Sequence, residues 1–434
     1  MKEKVNIFWF RRDLRMDDNV GFYNALRGKF PVLPIFIFDS EILQELPKDD
    51  ARVTFIYETL HKLNNKLRQY GGGVALFNGT PKDVFQTIIS RFHVQNVIAN
   101  HDYEPYSMER DSSIKNLLHE NGIGFFTFKD QVIYEKDDIV KDDGTPYIVY
   151  TPYMKKWKER FKKDDKNKKT FTDNSATNLY QNTRLPNLSL RDIGFTKSKI
   201  EIPEYDISSL TLQQYENQRN FPAKDATSHL GPHLRFGTVS IRNIIEEAAL
   251  EKNEVFLQEL IWREFFMQIL WHFPETVNRA FKQKYDRIEW RNNETEFQKW
   301  KEGKTGYPIV DAGMRQLNET GYMHNRVRMV VAGFLCKHLL IDWRWGEAYF
   351  AEKLLDYEMS SNIGNWQWAA GSGVDAAPYF RIFNPNTQLE KFDKNHEYVK
   401  KYIPEFGTEN YPEKIVDHKE ARERCLKVYK SAIA

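Results

Sequence analysis

Apolar positions follow two regimes along the chain. Up to about residue 130, short apolar runs alternate with amphipathic stretches. The runs are "VNIFWF" (5–10), "VLPIFIF" (32–38), "VALF" (74–77), "NVIA" (96–99) and "GFFTF" (124–128), and stretches such as 51–69 and 108–120 lie between them. This alternation predicts an α/β domain built on an open, mostly parallel five-stranded sheet with crossover helices. "FRRDLRMDDN" (10–19) follows the first strand, at the carboxyl edge where ligands of such sheets sit. "GGG" (71–73) precedes a strand, and no Gly-x-Gly-x-x-Gly opens a helix, so a dinucleotide-binding fingerprint is absent.

From about residue 205 the period changes. "SIRNIIEEAAL", "NEVFLQELIWREFFMQILWHF", "VDAGMRQLNETGYMHNRVRMVVAGFLCKHLL" and "WGEAYFAEKLLDYEMSS" carry apolar residues three and four apart, the spacing of helices with one buried face. Between the regimes, "KKWKERFKKDDKNKK" (155–169) holds nine basic and three acidic residues and runs into Ser/Thr/Asn-rich sequence. Such a run reads first as a solvated face and second as a nucleic-acid contact. The predicted organisation is an α/β domain over 1–130, a long linker over 131–205 and an all-α domain over 206–434.

Composition changes this picture in three places. A net charge of +2 gives no overall electrostatic signature of a nucleic-acid binder, so any basic surface must come from arrangement. Two cysteines, Cys336 and Cys425, exclude a disulfide scaffold. No apolar run reaches the ~18 residues of a membrane span and no signal peptide opens the chain, which predicts a cytoplasmic protein. Eight of the ten tryptophans follow residue 260, so the helical half holds a task the first half lacks.

Helical spacing groups the unusual side chains of that half. Glu259 and Trp262 lie three apart, Asn325 and Met329 four apart with Arg326 beside them, and Asn362 and Trp366 four apart. Each pairing of a polar group with a large apolar one suits a ligand pocket. Taken singly, Glu259 reads as a surface carboxylate, Trp262 as core and Asn362 as a cap or turn residue. Asn325 and Arg326 resist a core reading, because each needs partners if buried. Trp366 and Trp368 are two apart, so on a helix they point to nearly opposite sides.

"FWFRRDLRMDDN", "TSHLGPHLRFG", "ELIWREFF", "GYPIVDAGMRQLNETGYMHNRVRM" and "NWQWAAGSGVDAAPYFRIFNPNTQLEKFD" resemble the photolyase/cryptochrome family, and within it most closely a class I cyclobutane pyrimidine dimer DNA photolyase. The resemblance spans the chain and is densest after residue 215. It implies a U-shaped FAD in the helical domain, active in its reduced anionic form. Tyr215, Thr227, Ser228, His229 and Leu230 match positions around its phosphates and ribose. Arg263, Arg328, Asp356, Glu358 and Asn362 match positions around its isoalloxazine, with Arg328 and Asp356 as a buried ion pair and Asn362 beside N5. Glu259, Trp262, Asn325, Arg326, Met329 and Trp368 match the lesion cavity, where Trp262 and Trp368 would wall the dimer. Trp366, Trp343 and Trp290 match the family's chain of electron-hopping indoles.

The implied activity is light-driven repair of cyclobutane dimers in UV-damaged DNA, by a monomer without a membrane or an obligate protein partner. A (6-4) photolyase is disfavoured because Met329 stands where that subfamily has a histidine. The alternative is a cryptochrome-type blue-light photoreceptor. It is disfavoured by Asn362, where plant and insect members carry Asp or Cys, and by a chain that ends about 30 residues after "YIPEF". Tyr106 and Ser107 stand where folate-antenna members carry Asn-Glu, so a folate clamp is not expected and the antenna stays open. Tyr322 and Glu358 replace a Trp and an Asp common in the family.

Overall fold

The computed structural model describes residues 3–164, 178–182 and 184–434. Residues 165–169 of the basic run, and most of the Ser/Thr/Asn-rich sequence after it, lie outside the described residues. Five parallel strands, β1 (Lys4–Phe10), β2 (Val32–Asp39), β3 (Ala75–Gly79), β4 (His93–Asn100) and β5 (Gly124–Phe128), form one sheet in the order β3-β2-β1-β4-β5. The sheet is the one predicted from the apolar runs. β1 is central, and every residue after Lys4 is buried. Alternation sends Phe8 and Phe10 to one apolar layer with Phe22, Leu60 and Leu63, and Ile7 and Trp9 to the other with Phe85, Ile88 and Ile114. Burial on both faces explains why its strands read as continuous apolar runs.

Crossover helices start where capping side chains allow. Asp50 accepts from the amide of Arg52 ahead of the helix Ala51–Arg68, and Thr80 from that of Asp83 ahead of Pro81–Arg91, with proline in its first turn. At the carboxyl edge of the sheet the charges of "FRRDLRMDDN" meet partners: Arg11 bonds Asp111 and the carbonyl of Asn100, Arg12 bonds Asp102 and Glu104, and Arg15 bonds Asp130 at 2.8 Å. Burial opposes ionisation of Asp130, but Arg15 and Arg242 outweigh it and lower its pKa. The loop that the sequence placed at a ligand edge is thus a buried ion-pair network.

The chain divides into two compact units. The first holds residues 1–135, 158–205 and 230–250, and the second holds 136–157, 206–229 and 251–434. This differs from the sequence-based organisation: the expected linker is shared between the units, and residues 230–250 belong to the α/β unit. The reason is electrostatic in part. Arg235 bonds Glu104, while Arg242 bonds Asp18 and Asp130, all within the first unit. Beyond its short connecting segments, the second unit is helical. Its largest apolar cluster includes Trp300, Tyr307, Met314, Leu335, Trp343 and Trp366. The helix Asn325–Gly333 passes into a π-helical turn, Phe334–His338, and the helices Trp343–Lys353 and Met359–Ala370 follow.

Candidate active site

A cleft of about 600 Å³, counting the solvent at its open mouth, lies in the second unit. Asn325, Arg328 and Met329 border it from the helix Asn325–Gly333, Asp356 and Glu358 from the connecting segment, and Asn362, Trp366 and Trp368 from the helix Met359–Ala370. Helical spacing brings Asn362 and Trp366 to it, as their four-residue separation required. Trp368 borders it as well. The two indoles nevertheless diverge in their partners. Trp366 is buried, edge-on to Phe350 at 4.9 Å, whereas Trp368 is part-buried and also borders a smaller pocket with Met329, Lys337, Arg381 and Phe383. A clean partition of the two to opposite sides does not hold, because one cleft touches both.

The polar groups are fixed in advance. Asn362 donates its amide hydrogens to the backbone carbonyl of Glu347 at 3.1 Å and to its Oε1 at 2.9 Å. Burial raises the pKa of Glu347, against the pull of hydrogen bonds from Asn362 and Tyr357. Arg328 donates to Asp356 at 2.9 Å and to the carbonyl of Met323 at 2.7 Å. This ion pair is part-buried rather than enclosed, its side chains 24% and 17% exposed. Arg263 approaches Glu358 at 3.4 Å.

Further along, Thr227 shares a 3.2 Å hydrogen bond with Tyr322, and His229 packs its ring near Tyr322 at 5.4 Å. His229 has φ of +50°, a left-handed conformation costly for a residue with a side chain. Its Nε2 meets Asp225, while its Nδ1 is buried with no hydrogen-bond partner. Asp356 Oδ1 at the cleft is equally unsatisfied. Buried polar atoms are nearly always bonded, so these two fit a polar cofactor laid along Thr227–His229 and the cleft. Ser228 accepts from the amide of Asp206 through its carbonyl. Leu230 belongs to the first unit and contributes no side-chain cap to the six-residue helix Gly231–Phe236. Tyr215, edge-on to Phe256, has its pKa pushed up to about 12 by burial and by Glu259.

Glu259, Trp262 and Arg326 are not among the residues that line the cleft, and Glu259 pairs with Arg219 at 2.5 Å. Trp262 stacks on Tyr150 at 3.6 Å and 8°. One face of the indole expected to wall a lesion is therefore already covered by protein. Arg326 donates to Asn220 at 2.7 Å and lies over the Phe392 ring at 4.4 Å. Burial and the charge of Arg219 lower its pKa, and burial with Arg328, Arg326 and Arg219 brings His324 down to about 4. Three arginines thus lie near His324, two of them paired with the carboxylates Glu259 and Asp356.

The three tryptophans expected to relay electrons are not in ring contact as a series. Trp366 meets Phe350 and Trp300, buried Trp343 lies under the Arg344 guanidinium, and half-buried Trp290 sits edge-on to Tyr429 at 6.1 Å. No group of three or more potential metal ligands occurs among the described residues, and no helix there is long and apolar enough to cross a membrane.

A family model described as the FAD binding domain of DNA photolyase matches residues 256–408, and one described as DNA photolyase matches residues 6–171. The deoxyribodipyrimidine photo-lyases of Halobacterium salinarum and Escherichia coli are 35% and 33% identical, over 99% of this chain and 99% of their own. The chain belongs to the DNA photolyase family. Among solved structures, a bacterial class III photolyase from Agrobacterium tumefaciens is 34% identical with a TM-score of 0.88, covering 100% of this chain and 98% of its own. An archaeal photolyase from Sulfolobus tokodaii, described with two FAD molecules, is 33% identical with a TM-score of 0.83, over 98% of this chain and 100% of its own. A Synechocystis cryptochrome, 23% identical, shares the fold.

The second unit therefore carries the photolyase family's FAD-binding domain. Several of its residues had no signal in the sequence. Tyr150 lies in the stretch read as a linker, and Arg219 and Asn220 follow a weakly amphipathic helix, Ser209–Gln218. Glu347 carries no mark in the sequence, and it is the backbone that brings it to Asn362. Only tertiary pairing marks these four.

Proposed function

We propose that this chain repairs cyclobutane pyrimidine dimers in UV-damaged DNA in light, acting as a monomer with FAD in its reduced anionic form. One observation carries the reading most directly. The helix Met359–Ala370 brings a fixed amide, Asn362, and two indoles to a cleft that an arginine–carboxylate pair also lines, with Oδ1 of that carboxylate, Asp356, left without a hydrogen-bond partner.

Bound and reduced, FAD would supply a light-excited electron donor with no net redox change over the reaction. The protein's part is orientation and electrostatics. With its amide hydrogens committed to Glu347, Asn362 keeps Oδ1 as an acceptor for a ring N–H and adds no charge. Arg328, held by Asp356 and by the Met323 carbonyl, offers a cation beside an anionic ring. Trp368 and Met329 give the dimer an apolar wall. A crosslinked pyrimidine pair is poorly paired, so it leaves the duplex at lower cost than normal bases. Glu259 serves the pyrimidine edge, while Arg219 and Arg326 supply charge for phosphates. A folate antenna is not part of this reading: the Tyr106 hydroxyl donates to Asp39 at 2.5 Å and Glu41 at 3.0 Å.

The deciding experiment is repair of a thymine-dimer oligonucleotide by reduced, FAD-loaded protein, lit and dark. Dimers should disappear only in the light; equal dimer content in both arms rules the activity out and leaves signalling as the function of the same cofactor. Trp366→Phe should block photoreduction of oxidised FAD yet spare repair by dithionite-reduced protein. An absorption band beyond those of FAD in the purified protein would reveal an antenna.

A further inference from the structure

Trp366 has a redox-active neighbour that its expected relay partners do not account for. Its ring centroid lies 6.3 Å from that of Trp300, and Trp300 lies 5.9 Å from Tyr349, with Phe350 packed against both indoles at 4.9 and 6.2 Å. Trp300 is fully buried and oriented by a hydrogen bond from its Nε1 to the carbonyl of Val331 at 3.3 Å. Tyr349 is half-buried, and its hydroxyl donates to Asn318 Oδ1 at 2.6 Å. Tunnelling falls exponentially with distance, so successive rings in contact carry a charge farther than one long jump. We propose that Trp300 and Tyr349 form a second, tyrosine-terminated electron-transfer branch into Trp366, parallel to Trp343 and Trp290. This proposal rests on the photoreduction reading of Trp366.

The electron count closes. Trp366 yields one electron to oxidised flavin excited by light, Trp300 refills Trp366, and Tyr349 refills Trp300. Loss of an electron turns the Tyr349 phenol into a strong acid. Tyr349 therefore gives up its hydroxyl proton to solvent along with the electron and becomes a neutral tyrosyl. A thiol in solution returns one electron and one proton and restores the phenol.

The test uses the full FAD-loaded chain with Trp366→Phe, Trp343→Phe, Trp300→Phe, Tyr349→Phe and the Trp343→Phe/Trp300→Phe double variant. Two signals are read: the photoreduction rate with thiol, and the tyrosyl radical by electron paramagnetic resonance without it. Trp343→Phe should slow photoreduction but keep a residual rate that the double variant loses. The tyrosyl signal should survive Trp343→Phe and vanish in both Trp300→Phe and Tyr349→Phe. A Trp343→Phe variant as inactive as Trp366→Phe overturns the branch, as does a tyrosyl signal that persists in Tyr349→Phe. The last variant removes one hydroxyl and so guards against misfolding of Trp300→Phe. Should Trp366→Phe photoreduce at the parent rate, the photoreduction reading itself fails, a result distinct from failure of the branch.

Discussion

Glu259 holds Arg219 at 2.5 Å while its side chain stays about one-third exposed. A carboxylate so placed can turn toward a ligand without being left buried and unpaired. Glu259→Ala removes an acceptor and leaves Arg219 without its partner. Hydrogen bonds to charged groups contribute about 1.5–3 kcal/mol, and the exposure argues for the lower end, roughly a tenfold loss of affinity for dimer-containing DNA. Titration of a lesion oligonucleotide checks this, and the photoreduction rate should not move. A pH effect also belongs at this scale. Burial lowers the pKa of His338 to about 3, with His418 and Arg424 adding to it, and burial lowers that of His324 to about 4. Unfolding lets both imidazoles bind protons near their ordinary pKa of 6.5. Their contribution to stability is thus fully present above that value and is lost as pH falls toward the folded-state pKa, at up to about 1.4 kcal/mol per pH unit for each. His324 caps its helix by accepting from the amide of Arg326, and Asn caps as well. His324→Asn should therefore leave the urea midpoint near pH 7.5 little changed and flatten its decline between pH 6 and 4.

Among the elements, the helix Met359–Ala370 packs closely against its neighbours. An added Cβ on Gly364 would stand 2.3 Å from Phe266, and one on Gly346 of the neighbouring helix 2.1 Å from the Trp366 ring. Both glycines are small so that Asn362 and Trp366 can reach their places, a role that conformational freedom does not explain. Overpacking a core site costs about 1–3 kcal/mol. Gly364→Ala should lower stability by that amount in chemical denaturation and reduce FAD content with it. Helix and strand identity were legible in the sequence, because periods of 3.6 and 2 report which faces are buried. The fate of residues 131–205 and 230–250 was not, since it rests on pairs such as Arg242 with Asp18, 224 residues apart. Nothing local records such a pair.

For the molecule as a whole, charge arrangement outweighs net charge. The +2 balance predicts weak attraction to DNA, yet Arg328, Arg326 and Arg219 all lie close enough to His324 to add to the burial that lowers its pKa. Binding to UV-damaged duplex should be steeply salt-dependent. Arg326→Ala should reduce the slope of log affinity against log salt by about one, and an unchanged slope would remove Arg326 from the phosphate-contacting set. The sequence alone determined the parallel sheet, the helical second half and the family, because periodicity and contiguous motifs are local records of burial and chemistry. It also brought Asn362 and Trp366 to one helix face. Tertiary structure decided the rest: that Trp262 has a face covered by Tyr150, that Glu259 answers Arg219, that Glu347 fixes the amide of Asn362, and that Trp366 touches Trp300. Each of these depends on backbone segments brought together by packing, and no spacing along the chain encodes the distance between side chains on different helices.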